Sequence, residues 1–192
     1  MKRHSFHSAF LLFTFSCIYR CTCFSQATDT TQIKNLLEWI RERDQKTRSR
    51  ADSVAFVGYI DSTNLVLIEK LVQTYGWPGK SFVGPRGNNT CFLVIQHADS
   101  ATQVRYFPII KRSVESGESS ALSLAMLEDR ILMRQGKKQI YGSQVVFDAK
   151  GAPMFHPIED EIHVNERRKA VGMQPIEEYA AFFGITYKPP AE

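Results

Sequence analysis

Cysteine is scarce in this sequence, and three of its four cysteines stand within the first 25 residues. Beyond them only Cys91 remains, so residues 26–192 cannot form a disulfide within one chain. They must fold around an ordinary hydrophobic core, which a chain of this length can supply. We therefore expect residues 26–192 to form one domain, in which Cys91 is a small buried residue.

An excess of charge of one sign is also missing from that part of the chain. The whole sequence has 24 Lys and Arg against 20 Asp and Glu. Lys2, Arg3 and Arg20 precede residue 26 and no acid does, which leaves 21 basic against 20 acidic residues. A nearly neutral domain lacks the basic surface that attracts nucleic acid, so we predict no nucleic-acid partner.

Long apolar runs are confined to the N-terminus. A basic start at Lys2 and Arg3 is followed by an apolar run, 9–19, that is too short to cross a bilayer. This pattern predicts a signal peptide over residues 1–25 and export to the periplasm or the exterior. Lipid attachment through Cys17 is an alternative. No later run is long enough to span a membrane, and nothing in the sequence specifies an oligomeric state.

Fingerprints of common cofactors and catalytic centres are absent as well. The sequence has no HExxH or paired-cysteine spacing, no phosphate-binding glycine loop, no dinucleotide fingerprint and no nucleophile elbow. We therefore predict no cofactor and no metal centre. A metal site would have to recruit scattered residues, of which Asp160 and His163 are three apart and could share a helical face. Those candidates are His97, Asp99, His156, Asp160 and His163.

Helical periodicity is what the sequence does show. Apolar residues recur at helical spacing through most of residues 26–192, and the period changes to two at 139–147. A turn signal at 148–151 and a second short run at 154–158 predict one β-hairpin. The predicted fold is mainly α, a bundle-like array of helices with this small hairpin. An α+β fold is the alternative.

Three local predictions concern the segments before the central part of the chain. The charged tract 41–50 is expected to continue the first helix as a solvated face. Capping residues at 61–64 predict a helix that starts at Leu65 and ends at Gly76. The segment 77–87, rich in Gly and Pro, is expected to form an irregular link.

The most apolar stretch outside the N-terminus, Cys91–Ile95, is followed at once by polar residues. A helix that is apolar on all sides is normally buried by its domain. Gln96 and His97 lie one turn above this run and share its interior position. A buried polar group without a partner costs about 1–3 kcal/mol. Both side chains therefore need specific hydrogen-bond partners.

Asp129 is the predicted partner of this polar end. It falls in the middle of an apolar helical stripe, where an acid must be paired or protonated. The residues that share its face are Leu122, Ala125, Met126, Leu132 and Met133.

A series of short polar motifs runs along the chain: Asp44-Gln45-x-x-Arg48, Asp61-x-x-Asn64, Gly76-Trp77-Pro78, Val83-Gly84, Gln96-His97-Ala98-Asp99, Asp129-Arg130, Gln139-x-Tyr141-Gly142-Ser143-Gln144, Pro157-Ile158 and Arg167-Arg168. In these motifs the chain resembles a bacterial domain family of unknown function, often found in exported proteins. The resemblance spans nearly all of residues 26–192 and implies no activity. The family usually carries Thr where this chain has Ser143, which keeps the hydroxyl. Scattered polar motifs of this kind fit one shared pocket or a buried structural network.

Three functions follow as hypotheses. The favoured one is a module that binds a small anionic or peptide-like ligand in a polar pocket. The second is a hydrolase in which His97 acts as general acid or base and Asp129, or alternatively Asp99, orients it. The third is a purely structural or protein-interaction role, in which the polar groups only satisfy one another. The predicted ligand-binding residues are Gln96, Asp99, Arg130, Tyr141, Gln144, Arg167 and Arg168.

Overall fold

The computed structural model describes residues 30–50, 52–188 and 190, so the predicted signal peptide lies outside the described residues. Five long helices come first: α1 Thr30–Ser49, α2 Val54–Tyr75, α3 Lys80–His97, α4 Ser100–Glu115 and α5 Ala121–Arg134. Then come strands β1 Val145–Phe147 and β2 Pro153–Phe155, a 3-10 turn Glu161–His163, and helices α6 Val164–Ala170 and α7 Ile176–Ala181. The prediction of a mainly α fold with one small hairpin is confirmed. Within the described part of the chain, no helix is both long and apolar enough to cross a bilayer.

Helix α1 buries one continuous stripe against α2 and α3. Ile33, Leu37 and Ile40 recur every three or four residues and are 8%, 1% and 0% exposed. Asp44 follows Ile40 by four residues and continues the same stripe, with an exposure of only 1%. The prediction that the tract 41–50 forms a solvated face is therefore wrong for Asp44.

Helix α2 begins at Val54 rather than at the predicted Leu65. The side chain of Ser53 caps it by accepting a hydrogen bond from the N–H of Phe56 (3.3 Å). The predicted capping segment, 61–64, lies inside the helix. Two of its hydroxyls donate to carbonyls about one turn earlier, so residues that resemble a cap are accommodated within the helix.

Helix α3 also begins earlier than predicted, at Lys80, so the prediction of an irregular link is wrong from that residue onward. Gly84 adopts a non-helical backbone (φ 79°, ψ 164°) that interrupts the helix. Pro85 then begins the second segment, where a missing N–H costs least. That segment carries the apolar central stretch, and Cys91 is fully buried in it, as predicted.

The C-terminal third forms a second, smaller core. β1 pairs with β2 in antiparallel register, with Val146 opposite Met154. The residues before β1, 139–144, were expected to extend this strand but form a loop, in which Gln139 makes an isolated β-bridge with Ile158. The hairpin, α6 and α7 together bury Phe155, Ile158, Val164, Ile176 and Ala180.

Candidate functional site

Asp129 holds the loop 139–144 in place. It is 0% exposed on α5, and its carboxylate accepts hydrogen bonds from the backbone N–H groups of Ile140 (2.7 Å), Tyr141 (3.0 Å) and Ser143 (2.9 Å). Each carboxylate oxygen accepts at least one of these bonds. The buried acid is paired, as its position requires, but its partners are loop amides rather than the polar end of α3.

Two glutamines complete the support of the loop. The side-chain amide of Gln139 donates to the carbonyls of Gln144 (3.0 Å) and His156 (2.6 Å), and its oxygen accepts the N–H of Gln144 (2.8 Å). The amide of Gln144 donates to the hydroxyl of Ser143 (2.9 Å). The side-chain amides of Gln139 and Gln144 thus bind backbone groups and a neighbouring hydroxyl. This arrangement favours the hypothesis of a purely structural role for Gln144.

The adjacent arginines of α6 have different surroundings. Arg167 is half-buried and donates to the carbonyls of Ile140 (2.9 Å) and Glu159 (2.5 Å), besides an ion pair with Asp160 (3.3 Å). Arg168 is 2% exposed and donates through Nε to Gln174 O (2.7 Å) and through Nη1 to Tyr141 O (2.7 Å). We call Asp129, Gln139, Arg167 and Arg168, with loop 139–144, the loop network.

Arg168 is a buried cation without a close counter-ion. No carboxylate of the described residues forms an ion pair with it, and its Nη2 has no hydrogen-bond partner among them. Burial lowers the pKa of Arg168, although Tyr179 and the more distant Asp129 and Glu177 act in the opposite direction. Its guanidinium lies 5.1 Å from the centre of the Tyr179 ring. An anionic group would supply the charge that this site lacks.

A cavity of about 430 Å³ opens beside this guanidinium. Most of its wall is apolar, and its polar groups are few. The hydroxyl of Tyr179 donates to Ser143 O (3.1 Å), so it is already oriented at the wall. The residues that line the cavity include Leu122, Met126, Ser143, Arg168, Met173 and Tyr179.

His97 belongs to a second group of polar side chains, contributed by α1, α2 and α3. Its Nδ1 lies 2.9 Å from Asp44 Oδ1, and Arg48 Nε donates to its Nε2 at 3.3 Å. Arg48 Nη2 also donates to both oxygens of Asp61, at 2.9 and 3.1 Å. We call Asp44, Arg48, Asp61 and His97 the aspartate–histidine cluster.

The contacts of His97 assign the roles of its two nitrogens. A guanidinium nitrogen can only donate, so Nε2 is the acceptor for Arg48 and Nδ1 carries the proton that Asp44 accepts. Burial would raise the pKa of Asp44, but the hydrogen bond from His97, together with Arg48 and Gln45, outweighs it and holds that pKa below its usual value.

Gln96 and Asp99, the neighbours of His97 in the QHAD motif, differ in surroundings. Gln96 is 3% exposed, and neither its side-chain oxygen nor its nitrogen has a hydrogen-bond partner among the described residues. Asp99 is exposed and caps α4 by accepting the N–H of Thr102 (2.8 Å). Asp99 therefore has a structural role as a helix cap, whereas the side chain of Gln96 has no identified role.

Arg130 and Tyr141 are the remaining predicted ligand-binding residues. Arg130 Nε is buried and has no hydrogen-bond partner among the described residues, and burial, followed by the charge of Arg134, lowers the pKa of Arg130. Burial and then the charge of Glu128 raise the pKa of Tyr141. The backbone of Tyr141 is held by Asp129 and Arg168.

The predicted residues thus come together in two groups rather than one. Asp129, Tyr141, Gln144, Arg167 and Arg168 meet around the loop, whereas His97 meets three residues that the site prediction did not include. Those residues are Asp44, Arg48 and Asp61. These three residues belong to the motifs Asp44-Gln45-x-x-Arg48 and Asp61-x-x-Asn64 of the sequence. Asp44 also continues the apolar stripe of α1, and this position could have predicted its burial. Asp44, Asp61 and His97 also bring potential metal ligands within 4.8 Å of one another, the one such group found among the described residues.

Comparison with known proteins identifies one family. A family model described as a family of unknown function, DUF6624, matches residues 35–188. No curated protein and no solved structure matches the chain.

Proposed function

Since the chain belongs to DUF6624, a family of unknown function, we propose from its geometry that the domain binds a small ligand with an anionic group and an apolar body. The anionic group contacts Arg168 and the apolar part occupies the cavity beside it. The observation that carries this proposal is the buried guanidinium without an ion-pair partner in the described chain, at the wall of a largely apolar cavity.

The charge of Arg168 supports an anion in particular. Backbone carbonyls accept hydrogen bonds from Nε and Nη1 of Arg168, but they do not neutralise its positive charge. A buried cation is normally paired, because an unpaired charge is expensive to remove from water. A carboxylate can take a bidentate hydrogen bond from a guanidinium, which a neutral group cannot match.

The cavity supports a ligand that is apolar beyond its charged end. Its volume of about 430 Å³ lies in the range usual for small-molecule sites. Leu122, Met126 and Met173 supply apolar wall, and methionine adapts its shape to different partners. A medium-chain carboxylate or a short peptide with an apolar C-terminal residue has both features.

A hydrolase built on His97 and Asp129 has less support. Both oxygens of Asp129 already accept loop N–H groups, and the carboxylate that orients His97 is that of Asp44. Because the predicted signal peptide implies export, we expect the ligand to be a molecule found in the periplasm or outside the cell.

Octanoate is a suitable first probe, with octanamide as its neutral counterpart. We expect octanoate to raise the melting temperature of the purified protein and to bind in calorimetry, because a ligand of the native state stabilises it. Octanamide should bind at least about tenfold more weakly, since it occupies the apolar part of the cavity but leaves the charge of Arg168 unpaired. Equal binding of the two, or binding of neither, would contradict the proposal.

Two variants locate the probe. Leu122→Glu places a carboxylate at the cavity wall, where it can pair with Arg168 and exclude octanoate; this variant keeps the arginine that supports the loop. Lys169→Gln is the matched control, because it removes one positive charge beside Arg168 from an exposed position. Octanoate binding should be lost in the first variant and kept in the second.

A further inference from the structure

We propose that Asp44, Asp61 and His97 bind one divalent transition-metal ion, which takes the place of the Arg48 guanidinium. One ligand atom from each of the three residues lies within 4.8 Å of the others. The residues come from three different helices, α1, α2 and α3, so the packing of the helical core brings them together. This site is separate from the Arg168 cavity, and the proposal does not depend on the ligand proposed there.

The donor set suits such an ion. Two carboxylate oxygens and one imidazole nitrogen are ligands that Zn²⁺ and Mn²⁺ accept, and water can complete the coordination. Mg²⁺ prefers an all-oxygen environment and should bind more weakly. The two carboxylates carry more negative charge than one guanidinium neutralises, so a divalent ion would complete the charge balance.

Arg48 occupies the position of a cation but fits it poorly. Only its contacts with Asp61 are short, whereas it lies 3.3 Å from His97 Nε2 and 3.5 Å from Asp44 Oδ1. Its Nη1 is buried without a hydrogen-bond partner in the described chain. The side chain as a whole is 28% exposed and stands one residue before the end of α1, so it can move into solvent.

Asn64 provides a second, independent observation. It is 1% exposed, and neither atom of its side-chain amide has a partner among the described residues. Arg43 Nη2 donates to Thr63 Oγ1 (3.2 Å), which brings α1 near residue 44 opposite α2 near residue 64. Asp44 and Asn64 both face the core at this level, and Asp61 lies one helical turn from Asn64. The buried amide of Asn64, one helical turn from Asp61, needs a partner, and a metal ion or its bound water would provide one.

The test is calorimetric titration of the chelator-treated protein with Zn²⁺, Mn²⁺ and Mg²⁺ separately. We expect one Zn²⁺ or Mn²⁺ per chain, bound more tightly than Mg²⁺. Asp61→Asn and His97→Ala should each weaken binding by at least about tenfold, because each removes a ligand. His163→Ala is the control for chance binding, since this exposed histidine stands beside Asp160 away from the cluster.

Arg48→Gln distinguishes a metal site from a plain ion-pair cluster. If the guanidinium and the metal ion compete, removing Arg48 should tighten binding by about tenfold or more. Circular dichroism confirms that each variant is folded. The proposal is overturned if neither the wild type nor Arg48→Gln binds any of the three ions. It is equally overturned if binding persists in folded His97→Ala and Asp61→Asn but disappears in His163→Ala.

Discussion

The loop network and the aspartate–histidine cluster use the same kinds of side chain in opposite ways. In the loop network, polar side chains bind backbone groups: Asp129 accepts three loop amides, and Arg168 donates to three loop or turn carbonyls. In the cluster, side chains bind one another across three helices. A network that satisfies backbone is part of the fold, because the backbone groups have no other partner in the interior.

Exposure separates most members of the two groups. Asp129, Gln139 and Arg168 are at most 2% exposed, whereas the side chains of His97, Asp61 and Arg48 are 18%, 21% and 28% exposed. The exceptions are Arg167 and Asp44, whose side chains are 24% and 2% exposed. Water can replace a lost partner in the cluster but not beneath the loop. Side chains that can exchange a protein partner for water can also exchange it for a ligand. For this reason we propose metal binding for the aspartate–histidine cluster. Within the loop network, Nη2 of Arg168 has no hydrogen-bond partner among the described residues, so it is the group that we propose to contact a ligand.

The largest effect should come from Asp129→Asn. The amide nitrogen that replaces one oxygen cannot accept a hydrogen bond, so loop N–H groups are left buried without a partner. We expect a loss of about 3–5 kcal/mol in the free energy of unfolding, measured by denaturant titration. Glu128→Gln, one residue earlier on α5 and half-buried, is the control and should cost less than about 1 kcal/mol.

The reactivity of Cys91 gives an independent measure of the same loss. The thiol is fully buried, and burial raises the pKa of Cys91 to about 12. Since the thiolate is the reactive form, labelling should require opening of the helical core. Labelling of Asp129→Asn that stays as slow as in wild type would show that the loop network and the helical core unfold separately.

Asp44→Asn is the matching change in the cluster and should have a smaller effect. It also removes a buried carboxylate oxygen, but His97 and Arg48 are partly exposed and can turn to water. We expect a loss of about 1–2 kcal/mol by the same titration. A loss as large as that of Asp129→Asn would mean that the cluster is as structural as the loop network, and the contrast between them would fail.

Much of the fold could be predicted because its signals are local or periodic. The apolar central helix and the hairpin turn each depend on a few neighbouring residues. The starts of α2 and α3 could not be placed, because capping residues at 61–64 and the Gly84-Pro85 pair resemble helix boundaries. Whether a helix continues or ends at these residues depends on tertiary packing, which the neighbouring residues in the sequence do not determine.

The site was harder to predict because partners in it are distant in sequence. Burial of Asp129 followed from its own helix, but its partner did not: the choice between His97 and a loop depends on how α5 meets residues 139–144. Pairing of His97 with Asp44 likewise depends on α1 packing against α3. The motifs on which the resemblance to a family rests include Asp44, Arg48, Asp61 and His97, but they do not say which residues meet.

Asp99 belongs to neither network and gives the smallest expected effect. Asp99→Ala removes the cap of α4 and should cost about 1 kcal/mol, with no effect on binding of octanoate or Zn²⁺. The N–H of Thr102 holds the pKa of Asp99 below its usual value. The cap therefore stabilises the protein above the pKa of the unfolded chain, and this contribution is lost as pH falls through the folded pKa. Unfolding titrations of wild type and Asp99→Ala at neutral pH and near pH 2 should thus converge at the lower pH, whereas a constant difference would show that the cap does not act through its charge.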